Sequence, residues 1–341
     1  MTTPASATPT ELPEITRRKI SGLFSREQIA ALTARSDWRG FWAIVSTWAV
    51  IAASFAVLAR WPNPLTLLAA LIVIAGRQLA LAILMHEAAH GTLFNTRWLN
   101  DVFTDWVCAR PIWQDVLLYR AHHFVHHSKT GTDEDSDISL TAPFPTTRAS
   151  LARKLLRDAS GITGVKLLYG RLLMDAGVIK WTVAKDIQRL PANGRRWYHY
   201  AGAALRKMTP MLIANGILFG ILAACGQAWL YGIWLLAYIA PYNLFLRIRS
   251  MAEHGATEKS TDMFRNTRTT RAGWLARATV APLHVNFHRE HHVMASVPYY
   301  RLPLMHRLLR ERGAMDQPPS YLDVLRLVST PKTAALQSSI S

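Results

Sequence analysis

The sequence predicts an all-α, multi-pass membrane fold: four transmembrane helices in two hairpins, with a helical cap on the cytoplasmic side. Three observations predict it. Of the 341 residues, 50% are hydrophobic, and many of them gather into uninterrupted runs. A bilayer core takes about 20 apolar residues at about 1.5 Å each, and the longer runs meet that length. The formal net charge is +17, and the Lys and Arg residues flank the apolar runs. Basic flanks on apolar runs point to a membrane protein with a basic aqueous side and argue against nucleic-acid binding.

The first span covers Phe41 to Ala59 and carries no charge. The second, Leu65 to Met85, is broken only by Arg77 and Gln78. The third, Met211 to Cys225, is short, and the fourth covers Trp229 to Leu246. Arg60–Pro64 joins the first pair and Gly226–Ala228 the second, so each pair is a tight hairpin. Between the hairpins lies a basic stretch from Gly91 to Met208. It shares its charge with Arg17–Lys19 and with His306–Gly313. The positive-inside rule puts all three on the cytoplasmic side, and an even number of spans agrees.

The middle stretch is predicted to hold helices. Trp98 to His127 mixes aromatic, apolar and charged residues, as helices at a membrane surface do. Arg148–Asp158 and Gly164–Trp181 are amphipathic at helical period. Residues 1–39 read as a polar N-terminal segment, 40–313 as the membrane domain, and 314–341 as a C-terminal tail with a frayed end. The first residues lack the apolar core of a secretory signal. Cys108 and Cys225 lie in no C-x-x-C pattern, so neither a disulfide framework nor a Cys-ligated zinc is expected.

The 13 histidines carry the chemistry. His86 and His90 form one pair. His122, His123, His126 and His127 form a second group, and His284, His288, His291 and His292 a third. His254 stands alone near the end of the fourth span. Residues three and four apart share a helix face, so His123, His126 and His127 can point one way, as can His288, His291 and His292. All groups fall just beyond span ends on one side. Nine imidazoles exceed the needs of one ion, so two ions are implied. Imidazole suits iron, zinc, copper and nickel alike.

His86-Glu87-Ala88-Ala89-His90 also matches H-E-x-x-H, the zinc-protease pattern with Glu87 as base. An intramembrane protease needs a third ligand, and the third and fourth spans contain no Asp or Glu. A metal transporter would keep its ligands near the bilayer midplane, not at span ends.

"HEAAH", "HHFVHH" and "NFHREHH", with Arg120, "TGTDEDSD" and "VPYYRLPLMHRLL" beside them, resemble the three histidine boxes of the membrane fatty-acid desaturase superfamily. The resemblance runs from about Gly40 to Gly313. It implies an O₂-dependent oxidoreductase with a non-haem di-iron centre that installs a C=C double bond in a fatty acyl chain, as a lipid or an acyl thioester. The scaffold also serves desaturases and hydroxylases of other small molecules. The implied iron ligands are His86, His90, His123, His126, His127, His254, His288, His291 and His292. Some members place an Asn four residues before the lone His to hold a metal-bound water. Ser250 stands there, with Asn286 as a replacement. Glu87, Glu253 and Glu290 are expected to orient ligands, and so are residues of the Asp133–Asp137 run.

Asn243, Arg247, Ser250 and His254 share a helical stripe, a candidate pocket lining. Arg77 is expected to snorkel or to pair with protein. No fused haem or nucleotide fold is visible, so electrons are expected from a separate ferredoxin-type or cytochrome-type donor. The expected location is a bacterial inner membrane rather than the endoplasmic reticulum, with termini and boxes cytoplasmic and lipid around the spans.

Overall fold

A computed structural model describes residues 22–181 and 187–330. Arg17–Lys19 and residues 331–341 of the expected tail lie outside the described residues. Ser25 opens α1 (Arg26–Thr33) with a reciprocal capping box to Gln28. The first apolar run becomes α2 (Asp37–Arg60). Asn63 accepts from the amides of Leu65 and Thr66, and Pro64 takes the first helical position, where no N–H is needed. They start α3 (Pro64–Ala89), which returns against α2 as the first hairpin. Ile44, Ile51, Phe55, Ile74 and Leu81 belong to the core these helices share.

The chain then winds through two π-helical turns, Leu99–Phe103 and Asp105–Ala109, and a 3₁₀ turn at Arg110–Ile112. Asp115 caps α4 (Val116–Lys129) through the amide of Leu118. The short α5 (Ile138–Thr141) follows, then the expected amphipathic helices α6 (Arg148–Ala159) and α7 (Ile162–Asp175). The all-α expectation needs one correction here. Gly177, at φ 70, ends the helical path, and Ile179–Trp181 (β1) pairs antiparallel with Ile187–Arg189 (β2). β-Branched and aromatic residues favour that strand.

The second hairpin differs from expectation at both arms. Its first arm, α8 (Trp197–Ala224), is 28 residues long and runs through Pro210. Its second is broken into α9 (Leu230–Ile239) and α10 (Pro241–His254). Pro241 has no N–H with which to continue α9. Asn243 Nδ2 donates to the freed carbonyls of Tyr238 (2.8 Å) and Ile239 (3.2 Å). α2, α3 and α8 are therefore the helices long and apolar enough to cross a membrane, among the described residues. At ten residues, α9 alone covers about half of a bilayer core.

After α10 come α11 (Trp274–Ala278), α12 (His288–Val293), α13 (Leu302–Glu311) and α14 (Tyr321–Val328). α11 crosses α3 at Gly76, where a Cβ would sit 2.1 Å from the Ala278 oxygen. Arg77 pairs with protein there: its Nη2 donates to the carbonyls of Arg277 (3.2 Å) and Ala278 (3.0 Å). Phe24 and Leu32 pack with Met305 and Leu309, which ties the described N-terminal residues to α13. Within the described part of the expected tail, Val324 and Val328 pack with Met251 and Ala252 of α10.

Candidate metal centre

Four helical segments deliver the nine histidines. His86 lies in the last turn of α3, and His90 is its C-cap. Arg120 of α4 holds that end: it donates to the carbonyls of Ala89 (2.7 Å) and Ala88 (3.0 Å) and pairs with Asp101 at 2.5 Å. α4 carries His123, His126 and His127, α10 ends on His254, and α12 carries His288, His291 and His292.

They assemble as two groups. His86, His90, His123, His127 and His291 form one, and His126, His254, His288 and His292 form the other. Within each, one ring nitrogen per residue lies within 4.8 Å of all the rest. The expected one-sided triplets on α4 and α12 are thus divided. In a helix, residues four apart are about 40° apart around the axis, while residues three apart diverge by about 60° the other way. His123 and His127 therefore stay together, as do His288 and His292, while His126 and His291 cross to the opposite group. The groups share a wall where His127 and His292 stack at 4.2 Å between centroids.

The donor chemistry fits metal ions. His86 Nε2, His90 Nε2 and both ring nitrogens of His292 are buried without a hydrogen-bond partner. Buried polar groups are otherwise almost always paired. Nε2 atoms approach each other at 3.0 Å between His123 and His127, 3.0 Å between His127 and His291, and 2.8 Å between His254 and His288. Two nitrogens about 2.1 Å from one ion and at right angles stand about 3.0 Å apart. Burial holds His123, His291 and His292 well below the usual imidazole range, so their lone pairs are available. His126 goes the other way. Burial opposes its charge, but the hydrogen bond to Asp135 and the charges of Asp137 and Asp135 raise its pKa.

Partners outside the groups are specific. Asp135 lies 2.7 Å from His126 Nδ1, while Asp137 binds His122 at 2.9 Å. Glu253 stands 3.4 Å from His288 Nδ1 and is held by Arg249 at 2.6 Å. His254 Nδ1 lies 3.2 Å from the Asn266 carbonyl. Tyr119, which the sequence did not single out, stacks on His123 with its hydroxyl 3.3 Å from Nδ1. Its signal was available: it lies one helical turn before His123. Glu87 lies 3.5 Å from His86 Nδ1 and accepts from the Thr92 hydroxyl (2.8 Å) and the Tyr299 amide (2.9 Å). Those donors lock it in place, unlike a base poised over a metal-bound water.

The other expected residues have the following partners, and Asn286 keeps its Oδ1 buried without one. Glu290 points off the histidine face of α12, where Thr269 and His306 hold it. Asn286 uses its Nδ2 on the Thr270 carbonyl at 2.8 Å. Ser250 bonds back to the Leu246 carbonyl at 3.0 Å. Arg247 binds Asp158 of α6. The stripe from Asn243 to Ser250 therefore serves helix capping and helix contacts. A cavity of about 360 Å³ opens beside both groups, lined by His90, His127 and His292 with Phe124, Ser128 and Val293.

The fatty acid desaturase family matches residues 60–322. Dihydrorhizobitoxine desaturase of Bradyrhizobium elkanii is 27% identical over 288 residues, covering 82% of this chain and 76% of the relative. With the family match spanning well over half of its length and the histidines grouped as they are, this chain is an oxidoreductase of the fatty acid desaturase family.

Proposed function

We propose that the protein is an O₂-dependent di-iron membrane desaturase. The observation that carries this is the pair of histidine groups sharing a wall and opening on one cavity. His86, His90, His123, His127 and His291 would hold one iron, and His126, His254, His288 and His292 the other. Two iron ions there would supply the oxidising power to remove hydrogen from an unactivated C–H bond. The substrate loses two hydrogens as its C–C bond becomes C=C. O₂ takes these with two electrons from a separate ferredoxin-type or cytochrome-type donor and two protons from the aqueous side, giving two waters.

The chain's own residues orient and exclude. Asp135 and Tyr119 hold ligand rings by their outer nitrogens, and Glu253 stands 3.4 Å from that of His288. Glu87 fixes the end of α3 against Tyr299. Phe124 and Val293 keep part of the cavity wall apolar. A fatty acyl chain, in a lipid or thioester, is the first substrate class, on the membrane setting and the histidine boxes. The termini and the centre would face the cytoplasm of a bacterial inner membrane.

A second class, a small polar molecule, is favoured by two observations. The cavity is at the small end of the range for ligand pockets and carries Ser128 and Ser296 beside its apolar residues. The relative is named for a desaturation of dihydrorhizobitoxine. Expression in a bacterial host, with lipid and metabolite profiles compared against His126→Ala, tests both. A lipid or a polar metabolite lighter by two hydrogens, seen only with the unaltered chain, identifies the class. Identical profiles count against the activity on that host's molecules.

A further inference from the structure

We infer that α6, α7, the β1–β2 hairpin and the start of α8 form a docking face for an anionic lipid leaflet. Along residues 148–207, Arg153, Arg157, Lys166, Arg196, Arg206 and Lys207 are exposed. No Asp or Glu is exposed among the described residues of this stretch. Its two described acids are buried and paired, Asp158 with Arg247 and Asp175 with Arg171. The loops over the histidines behave differently. There Lys129 pairs with Glu134 at 2.5 Å, Lys259 with Asp133 at 2.8 Å, and Arg265 with Glu258 at 2.7 Å. The loops over the histidines thus lack the unbalanced charge of this stretch.

Large apolar side chains are interleaved with these cations. Trp197 is 79% exposed, Leu156 69%, and Val165, Tyr169 and Leu205 are exposed as well. Charge alone would suit an acidic protein, but cations alternating with exposed Trp, Leu and Val suit an interface of headgroups and acyl chains. Position agrees. Gly164 lets α7 lie on the break at Ile239, where a Cβ would come within 2.2 Å of its oxygen. Asp158 ties α6 to α10, and α8 continues from this face as a helix long enough to cross a membrane. The face sits at the root of the membrane helices. The inference holds whatever the substrate or reaction.

The test uses the full chain in nanodiscs of phosphatidylcholine, alone or mixed with phosphatidylglycerol. Phosphatidylglycerol kept after detergent extraction is counted by mass spectrometry at low and high salt. The unaltered protein is expected to retain it, less so in high salt. Each basic residue near an anionic surface is worth about fivefold in affinity, so R153Q/K166Q/R206Q/K207Q should retain at least about tenfold less. Its metal content and melting temperature should not change. R153Q/K166Q should lie between, and Lys259→Gln, on a charge-paired loop, should match the unaltered protein. Equal retention by the unaltered and fourfold-altered proteins overturns the inference. So does unchanged lipid retention with lost binding to an acidic electron-transfer protein, which would make this a protein-docking face.

Discussion

His123 and His126 occupy neighbouring turns of α4 yet are backed by different chemistry. His123 Nε2 faces its group at 3.0 Å from His127 Nε2, so a metal ion on Nε2 would leave the proton on Nδ1, to donate to the Tyr119 hydroxyl oxygen. His126 is backed by the Asp135 carboxylate. Removing such an outer partner commonly lowers metal affinity by about 10–100-fold. Tyr119→Phe, which keeps the ring stack, and Asp135→Asn are each expected to show that loss while the metal-free protein melts unchanged. Metal content after dialysis against a graded chelator measures it, and equal retention by Tyr119→Phe would remove Tyr119 from the role. Eight of the nine histidines were legible because their spacing is local, and the lone His254 from its place just beyond the fourth apolar run. Asp135 was visible only as part of an acidic run, because a turn brings it back to α4 and spacing does not encode that return.

At the scale of elements, the breaks matter as much as the helices. The apolar run from Trp229 to Leu246 looks continuous, but Pro241 divides it and Asn243 repairs the loose carbonyls of α9. Asn243→Leu leaves them buried without a donor and is expected to cost about 1–3 kcal/mol. Denaturation in detergent micelles checks this, and an unchanged midpoint would show the cap to be unimportant. Gly76→Ala would drive a methyl into the Ala278 carbonyl, 2.1 Å from the ideal Cβ. Overpacking of this kind costs about 1–3 kcal/mol, and Arg77 would lose its backbone partners as α11 moves away. Thermal melting reads the loss. Neither effect is visible in hydropathy, which sees Pro241, Asn243 and Gly76 as minor interruptions of apolar runs.

At the scale of the whole molecule, the histidine groups tie together segments far apart in the chain: His127 meets His291, 164 residues away, at 3.0 Å. Ions that bind only the folded arrangement stabilise it in proportion to their affinity. Chelation is therefore expected to lower the melting temperature, and re-addition of ferrous iron to restore it. His126→Ala should retain less than the full complement of two irons per chain. One zinc and no iron in the purified protein would sink the di-iron proposal.

By itself the sequence determined the helical membrane class, the first hairpin and the full set of nine clustered histidines. Each of these is written in local pattern: apolar length, Asn63-Pro64 at a helix start, spacings of three and four residues for eight histidines, and the end of an apolar run for His254. Only the tertiary structure gave three long apolar helices and one broken arm among the described residues, with the centre on α3, α4, α10 and α12. Only it divided the histidines five and four, aimed Glu290 at His306, and set Tyr119 beside His123. Those outcomes depend on which face each helix turns toward the others, and that orientation comes from packing between distant segments.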